Sequence, residues 1–247
     1  MVTLKNNVSQ FNKDINDEGG YEYTSETRYS AKVANDRLTR ATIECINEIQ
    51  VTKNIAKAID LGCGDGTYTA QLKEYYRAIS FIGIDPAVEA IKRAKSLFPN
   101  IAFYEGNLLE PNGFKDKIHD ADLVILRGVL HHVSEPDRAL QNVSKMAPYL
   151  ILIEPNGLNP ILKLIERFSS YHIAHEERSF TPFKIDQWLK NSGYFVVYRK
   201  YIGFVPFFFP ELFAKVIYSI QPLLEKLPFI RHLFSACQVV VCKRERI

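Results

Sequence analysis

Between Ala56 and Ile153 the chain alternates short apolar runs with amphipathic stretches of about ten residues. The runs are 56–61, 79–84, 101–104, 121–126 and 149–153. Helical spacing fits Thr67–Tyr76, Ala87–Leu97 with Pro86 at the first helical position, and a segment opened by Ser134 and Pro136 that reaches Met146. Near-continuous apolar strands separated by helices predict βαβ units and a parallel sheet covered on both faces. The expected class is α/β.

Flanking segments extend this pattern. Ala34, Leu38, Ala41, Cys45, Ile46 and Ile49 recur at helical spacing, so Ala31–Ile49 is read as a helix in an N-terminal helical cap over residues 1–50. Ile161–Phe168 and Pro182–Lys190 read as helices, the second capped by Thr181 and ended by Gly193. Tyr194–Tyr201 and Ala236–Cys242 read as strands. Between them, residues 203–234 form an apolar helical insertion that holds seven of the sixteen phenylalanines.

A chain of 247 residues can form one such domain without staples. At 47% hydrophobic and 24% charged it excludes disordered and low-complexity classes. The balance of 31 Lys and Arg against 28 Asp and Glu lacks the strong basic bias of a dedicated nucleic-acid surface. Cys45, Cys63, Cys237 and Cys242 form no Cys-x-x-Cys pair, so no metal site is expected, and the chain reads as reduced and cytoplasmic. Residues 1–20 contain no apolar leader, and the longest stretch without Asp, Glu, Lys or Arg is the eleven residues His232–Cys242, too short for a membrane span.

The chemistry is expected at Asp60-Leu61-Gly62-Cys63-Gly64-Asp65-Gly66-Thr67, between the first run and a helix. Glycines there permit a tight turn and close approach of backbone to a ligand, and the helix start offers free N–H groups. A dinucleotide fingerprint needs Gly-x-Gly-x-x-Gly; here Gly66 comes one residue early, which argues against NAD or FAD. Nor does Gly-Lys-Ser/Thr follow, as a P-loop requires. Nineteen residues past Gly66, Asp85 before Pro86 ends the second run, where a carboxylate can accept from two ribose hydroxyls or cap a helix.

Asp60-x-Gly62-x-Gly64-x-Gly66, Gly83-Ile84-Asp85-Pro86, Glu105-Gly106-Asn107-Leu108 and Asp122–Leu126, in that order, resemble the class I S-adenosylmethionine-dependent methyltransferases over about residues 55–200. Leu130-His131-His132-Val133 and Ile153-Glu154-Pro155 resemble the small-molecule branch that includes ubiquinone and menaquinone methyltransferases. The resemblance implies a Rossmann-like three-layer sandwich with a seven-stranded, mostly parallel sheet whose last strand is antiparallel. It implies S-adenosyl-L-methionine as cofactor, with Gly62, Gly64 and Gly66 against its methionine part and Asp60 toward its amino group. Asp85 and Pro86 would lie at the ribose, and Asn107, where the family more often has Asp, and Leu108 at the adenine. The backbone at Arg127 would line the methionine pocket, and Tyr29, or else Tyr21 or Tyr23, would approach the sulfonium.

Methyl transfer needs alignment more than covalent help, and a base only where the acceptor must lose a proton. His131 and His132, just past the fourth run, are the candidates for that base; His172 and His175 are more distant ones. Leu126-Arg127-Gly128-Val129 stands where DNA amino-methyltransferases carry Asn/Asp-Pro-Pro-Tyr/Phe, so a small-molecule acceptor is expected and nucleic acid is not. Two other readings stay open: a non-catalytic cofactor-binding protein and an aminopropyltransferase on the same fold. The insertion is compatible with extra core, with an apolar acceptor wall or a peripheral membrane contact, or with a dimer interface. The chain is accordingly expected to be a monomer or a homodimer.

Overall fold

The computed structural model describes residues 8–13, 15, 28–169, 178–207 and 209–244. All five expected runs are strands: β1 (Lys57–Leu61), β2 (Ser80–Asp85), β3 (Ala102–Glu105), β4 (Leu123–Arg127) and β5 (Tyr149–Pro155). β6 (Tyr194–Ile202) and β7 (Cys237–Arg244) complete one seven-stranded sheet in the order 3-2-1-4-5-7-6. Strands β1 to β5 pair in parallel, whereas β7 runs antiparallel to both β5 and β6. The last strand is therefore antiparallel, as expected.

Alternate residues of each strand feed two cores, because successive side chains point to opposite faces. Val124, Leu126, Leu150 and Leu152 pack with residues of α4 (Pro136–Val143) and α6 (Pro182–Asn191). Leu123, Ile125, Ile151 and Ile153 pack with Ala41, Cys45, Ile46 and Ile49 of α1 (Tyr29–Gln50) and Leu72 of α2 (Thr67–Tyr75). Each fully buried Leu or Ile contributes about 1.5–3 kcal/mol, so both faces are needed to hold the sheet. The C-terminal half of α1 is thus a core layer.

Two boundaries differ from expectation. Helix α3 (Val88–Leu97) starts after Pro86, with Ala87 as its N-cap, because the Asp85 carboxylate takes the Ala87 N–H at 2.8 Å and holds the chain extended. Helix α4 stops at Val143, short of Met146. Thr181 is the N-cap of α6 but makes no side-chain capping bond.

The insertion leaves and re-enters at the edge where the parallel strands end. Ile202 pairs with Cys237, and Cys237 with Pro155, so β6 finishes at the carboxyl edge of the sheet. The insertion contains two helices, α7 (Glu211–Leu224) and α8 (Pro228–Phe234). Helix α7 leans on α1: Arg37 forks onto Glu225 at 2.9 and 2.8 Å, and Val33, Val205 and Ala214 form a small cluster flanked by Tyr29. Gln221 accepts the Phe204 N–H at 3.0 Å. Helix α8 is held to α5 (Pro160–Phe168) through Asn159, the N-cap of α5, whose Nδ2 donates to the Phe234 carbonyl at 3.1 Å. Only Ala214 and Gln221 of α7, and no residue of α8, are buried, so most of the insertion is not extra core.

Candidate functional site

The carboxyl ends of β1, β2 and β4 bring together three charged residues. Asp60 on β1 is buried and accepts from Thr69 Oγ1, in the first turns of α2, at 2.5 Å. Burial pushes its carboxyl above the usual carboxylate range, while the Thr69 bond and the Arg127 charge oppose that. Asp85, ending β2, receives the Gly64 N–H on one oxygen at 2.9 Å and the Ala87 N–H on the other. Burial raises it to about 6 even so. Its carboxylate thus ties the glycine turn to the next strand and retains lone pairs for further donors.

Arg127 ends β4 and turns its side chain toward α1 and α2. Nη1 donates to Thr39 Oγ1 at 3.0 Å, Nη2 donates to the Asn35 carbonyl at 3.3 Å, and the guanidinium lies 3.7 Å over the Tyr68 ring. Burial lowers its pKa, against the pull of nearby groups that include Asp60. Among the described residues no carboxylate forms an ion pair with it.

The turn itself runs left-handed at Gly62, Gly64 and Gly66, with φ of +78°, +56° and +79°. Two of these glycines also answer to packing. A Cβ on Gly62 would lie 2.4 Å from Val129 Cγ2, and one on Gly66 2.6 Å from Phe103 Cζ. Asn107 turns its Oδ1 onto the Leu109 N–H at 2.9 Å, and Leu108 is buried in the core, its carbonyl taken by Asn142.

Past β4, Glu154 organises the loop. It ends the otherwise apolar β5 and is 1% exposed, so a charge there needs partners. It finds four: the N–H groups of Val129, Leu130 and His131 at 2.9, 2.8 and 3.2 Å, and His131 Nδ1 at 2.9 Å. A carboxylate on the first N–H groups of the single turn Leu130–His132 suits the local dipole. His131 is buried and fixed by this contact. His132 lies against it, 4.0 Å between ring centroids, with Phe11 edge-on at 5.1 Å on another side.

The structure therefore gathers Asp60, Gly62, Gly64, Gly66, Asp85 and Arg127 around one turn, with His131 and His132 on the neighbouring loop. Pro86 follows Asp85 outside any helix. Tyr29 lies with the insertion, its ring under Lys215 Nζ at 5.4 Å. Tyr21, Tyr23, His172, His175 and Phe208 lie outside the described residues. Sequence reasoning missed Thr69, Asn35, Thr39 and the role of Glu154. A lone carboxylate at the end of the apolar run 149–153 was the available signal for Glu154. A separate cleft of about 960 Å³, lined by Glu110, Lys115, Arg138 and Lys145 among others, contains none of these site residues.

The donor set matches the group that the sequence resemblance implies. A half-buried cation with no carboxylate partner among the described residues and a buried carboxylate on the adjacent strand end complement an amino-acid zwitterion, and Asp85 complements a diol.

The chain is similar to known methyltransferases. A probable methyltransferase of Aspergillus luteorubrus is 28% identical over 155 residues, 59% of this chain and 51% of that protein. A trans-aconitate 2-methyltransferase of Rhizobium leguminosarum is 29% identical over 113 residues, 44% of this chain and 42% of that protein. The chain thus spans about half the length or less of these curated relatives. Among solved structures, an S-adenosylmethionine-dependent methyltransferase of Anabaena variabilis superposes with a TM-score of 0.66 at 16% identity, covering 99% of this chain and 96% of that one. Magnesium protoporphyrin IX methyltransferase of Synechocystis superposes with a TM-score of 0.63 at 13% identity, covering 96% and 99%. The family profile described as a methyltransferase domain matches residues 52–198, from just before β1 into β6 and more than half of the chain, and on that ground the chain belongs to the methyltransferase-domain family.

Proposed function

We propose that the chain transfers a methyl group from S-adenosylmethionine to an apolar or amphipathic small molecule, at oxygen or carbon. One observation carries the reading: Asp60, Asp85 and Arg127 converge on a left-handed glycine turn at the carboxyl ends of three adjacent strands. Asp60 would hold the cofactor's amino group, Arg127 its carboxylate and Asp85 its ribose hydroxyls. Asn107 and Leu108 would lie beside the adenine, although the Asn107 amide oxygen already accepts the Leu109 N–H and Leu108 is mostly buried in the core. The sulfonium supplies an already activated methyl group, so the chain's task is chiefly alignment.

His131 is the better placed of the two candidate bases. With Nδ1–H donated to Glu154, the remaining lone pair sits on Nε2, the arrangement that orients a histidine to accept a proton. The trans-aconitate enzymes among the relatives favour a small molecule over a macromolecule as acceptor. To test the reading, the protein is incubated with cell extract and methyl-labelled S-adenosylmethionine, and the products are read by mass spectrometry. A labelled small molecule that disappears with the Asp85→Ala variant supports it. Binding of the cofactor with no labelled product would favour a non-catalytic binding protein, and a transferred aminopropyl group would favour the other enzyme class.

A further inference from the structure

We propose that α7, α8 and α5 form a docking face for an anionic lipid surface. One face of α7 is covered by α1; the other is not. Leu212, Val216, Ile220, Leu223 and Leu227 follow at spacings of four, four, three and four, and all are exposed, Leu212 by 72%. Phe213 on α7 is also exposed, Phe229 on α8 is 75% exposed, and Ile161, Leu164 and Phe168 are exposed on α5, which packs against α8. Residues of this size scattered singly would be ordinary, but this density on three neighbouring helices marks an interaction surface. No helix among the described residues is long and apolar enough to cross a membrane, so these helices would meet a bilayer lying along its surface.

Charge selects the partner. Each carboxylate of the three helices and the turn between α7 and α8 has its own cation: Glu166 pairs with Lys163 at 3.0 Å, Glu211 with Lys215 at 2.5 Å, and Glu225 with Arg37 at 2.8 Å. Arg167 on α5, Lys226 between α7 and α8, and Arg231 on α8 have no carboxylate partner among the described ion pairs. An apolar face bordered by unneutralised cations suits anionic headgroups above an acyl layer. A second copy of the chain suits it less, because a two-fold interface would set one cation-bordered patch against another with no unpaired carboxylate on these helices to offset it. The face lies at the carboxyl edge of the sheet, the same edge as the site, so docking would turn that edge toward the bilayer.

Co-sedimentation with vesicles tests this. The full chain should pellet with vesicles of phosphatidylcholine and phosphatidylglycerol at 3:1, and at least tenfold less with phosphatidylcholine alone. Leu212→Gln with Phe229→Gln should lower binding to the mixed vesicles by at least tenfold, since each exposed apolar side chain would otherwise be buried. Lys226→Gln and Arg167→Gln should each lower it roughly fivefold. All four positions are exposed, so thermal melting should not change and will report any that does. The proposal is overturned if the wild-type chain stays in the supernatant with mixed vesicles, or if pelleting ignores both sets of substitutions. It is equally overturned if sedimentation equilibrium finds a dimer that Leu212→Gln with Phe229→Gln dissociates, which would make the face an interface between copies.

Discussion

Glu154 holds His131 Nδ1 at 2.9 Å and, with its two oxygens, also collects the backbone N–H groups of Val129, Leu130 and His131. One carboxylate therefore sets both the loop past β4 and the ring of the candidate base. Glu154→Gln keeps the volume but replaces one acceptor oxygen by an NH2 group facing N–H donors. The variant should lose about 2–4 kcal/mol of stability, measured by urea unfolding, because buried donors are left without partners. Its methyl transfer should fall further than its cofactor affinity, since the loop, and not the glycine turn, is displaced.

Asp85 gives a pH prediction. Its folded-state pKa is raised to about 6 by burial, above the ordinary carboxylate value. The sign follows from linkage: its contribution to stability is complete below about pH 4 and is lost as pH rises through about 6. Ribose hydroxyls donate best to the ionised form, so affinity for S-adenosylhomocysteine should move the other way, improving about tenfold from pH 5 to pH 7. Asp85→Asn should flatten that profile, and calorimetry across the range reads both. Asp85→Ala should weaken binding by roughly 1–3 kcal/mol.

Arg127→Lys removes the two-pronged contact to Thr39 and Asn35 and the stack on Tyr68 while keeping the charge. Affinity for S-adenosylhomocysteine should drop about tenfold to a hundredfold. Thr39→Val, which removes one hydrogen bond to the guanidinium, should cost less. Equal affinity in Arg127→Lys and wild type would place the guanidinium outside the cofactor site.

Gly62→Ala meets two obstacles, a φ of +78° and Val129 Cγ2 at 2.4 Å from the new Cβ. It should destabilise the chain by about 1–3 kcal/mol. Adding Val129→Ala should recover the steric part and leave the backbone part, so a double-mutant cycle in urea should show coupling.

The strands were legible because each is a short run of apolar residues with no competing pattern, and the glycine turn because its spacing is unusual. The contacts that arm the site were not. Arg127 reaches Thr39 and Asn35 on a helix about 90 residues earlier in the chain, a pairing that only the crossover of the sheet creates. Glu154 was visible as a charge ending an apolar run, but its partners lie more than twenty residues away. In the sequence the insertion reads only as helical; it holds two helices, because the chain turns at Glu225–Leu227 and Pro228 opens the second. That Pro228 could sit at a first helical position was readable in the sequence. The exposure of the insertion was not, because the same apolar spacing serves a buried face and a docking face.

Titration calorimetry with S-adenosylhomocysteine tests the central claim most directly. The account predicts one site per chain, micromolar or tighter, lost or weakened in Asp85→Ala and Arg127→Lys, and no heat with NAD. Absence of S-adenosylhomocysteine binding to the wild-type chain, or binding untouched by both substitutions, would contradict it.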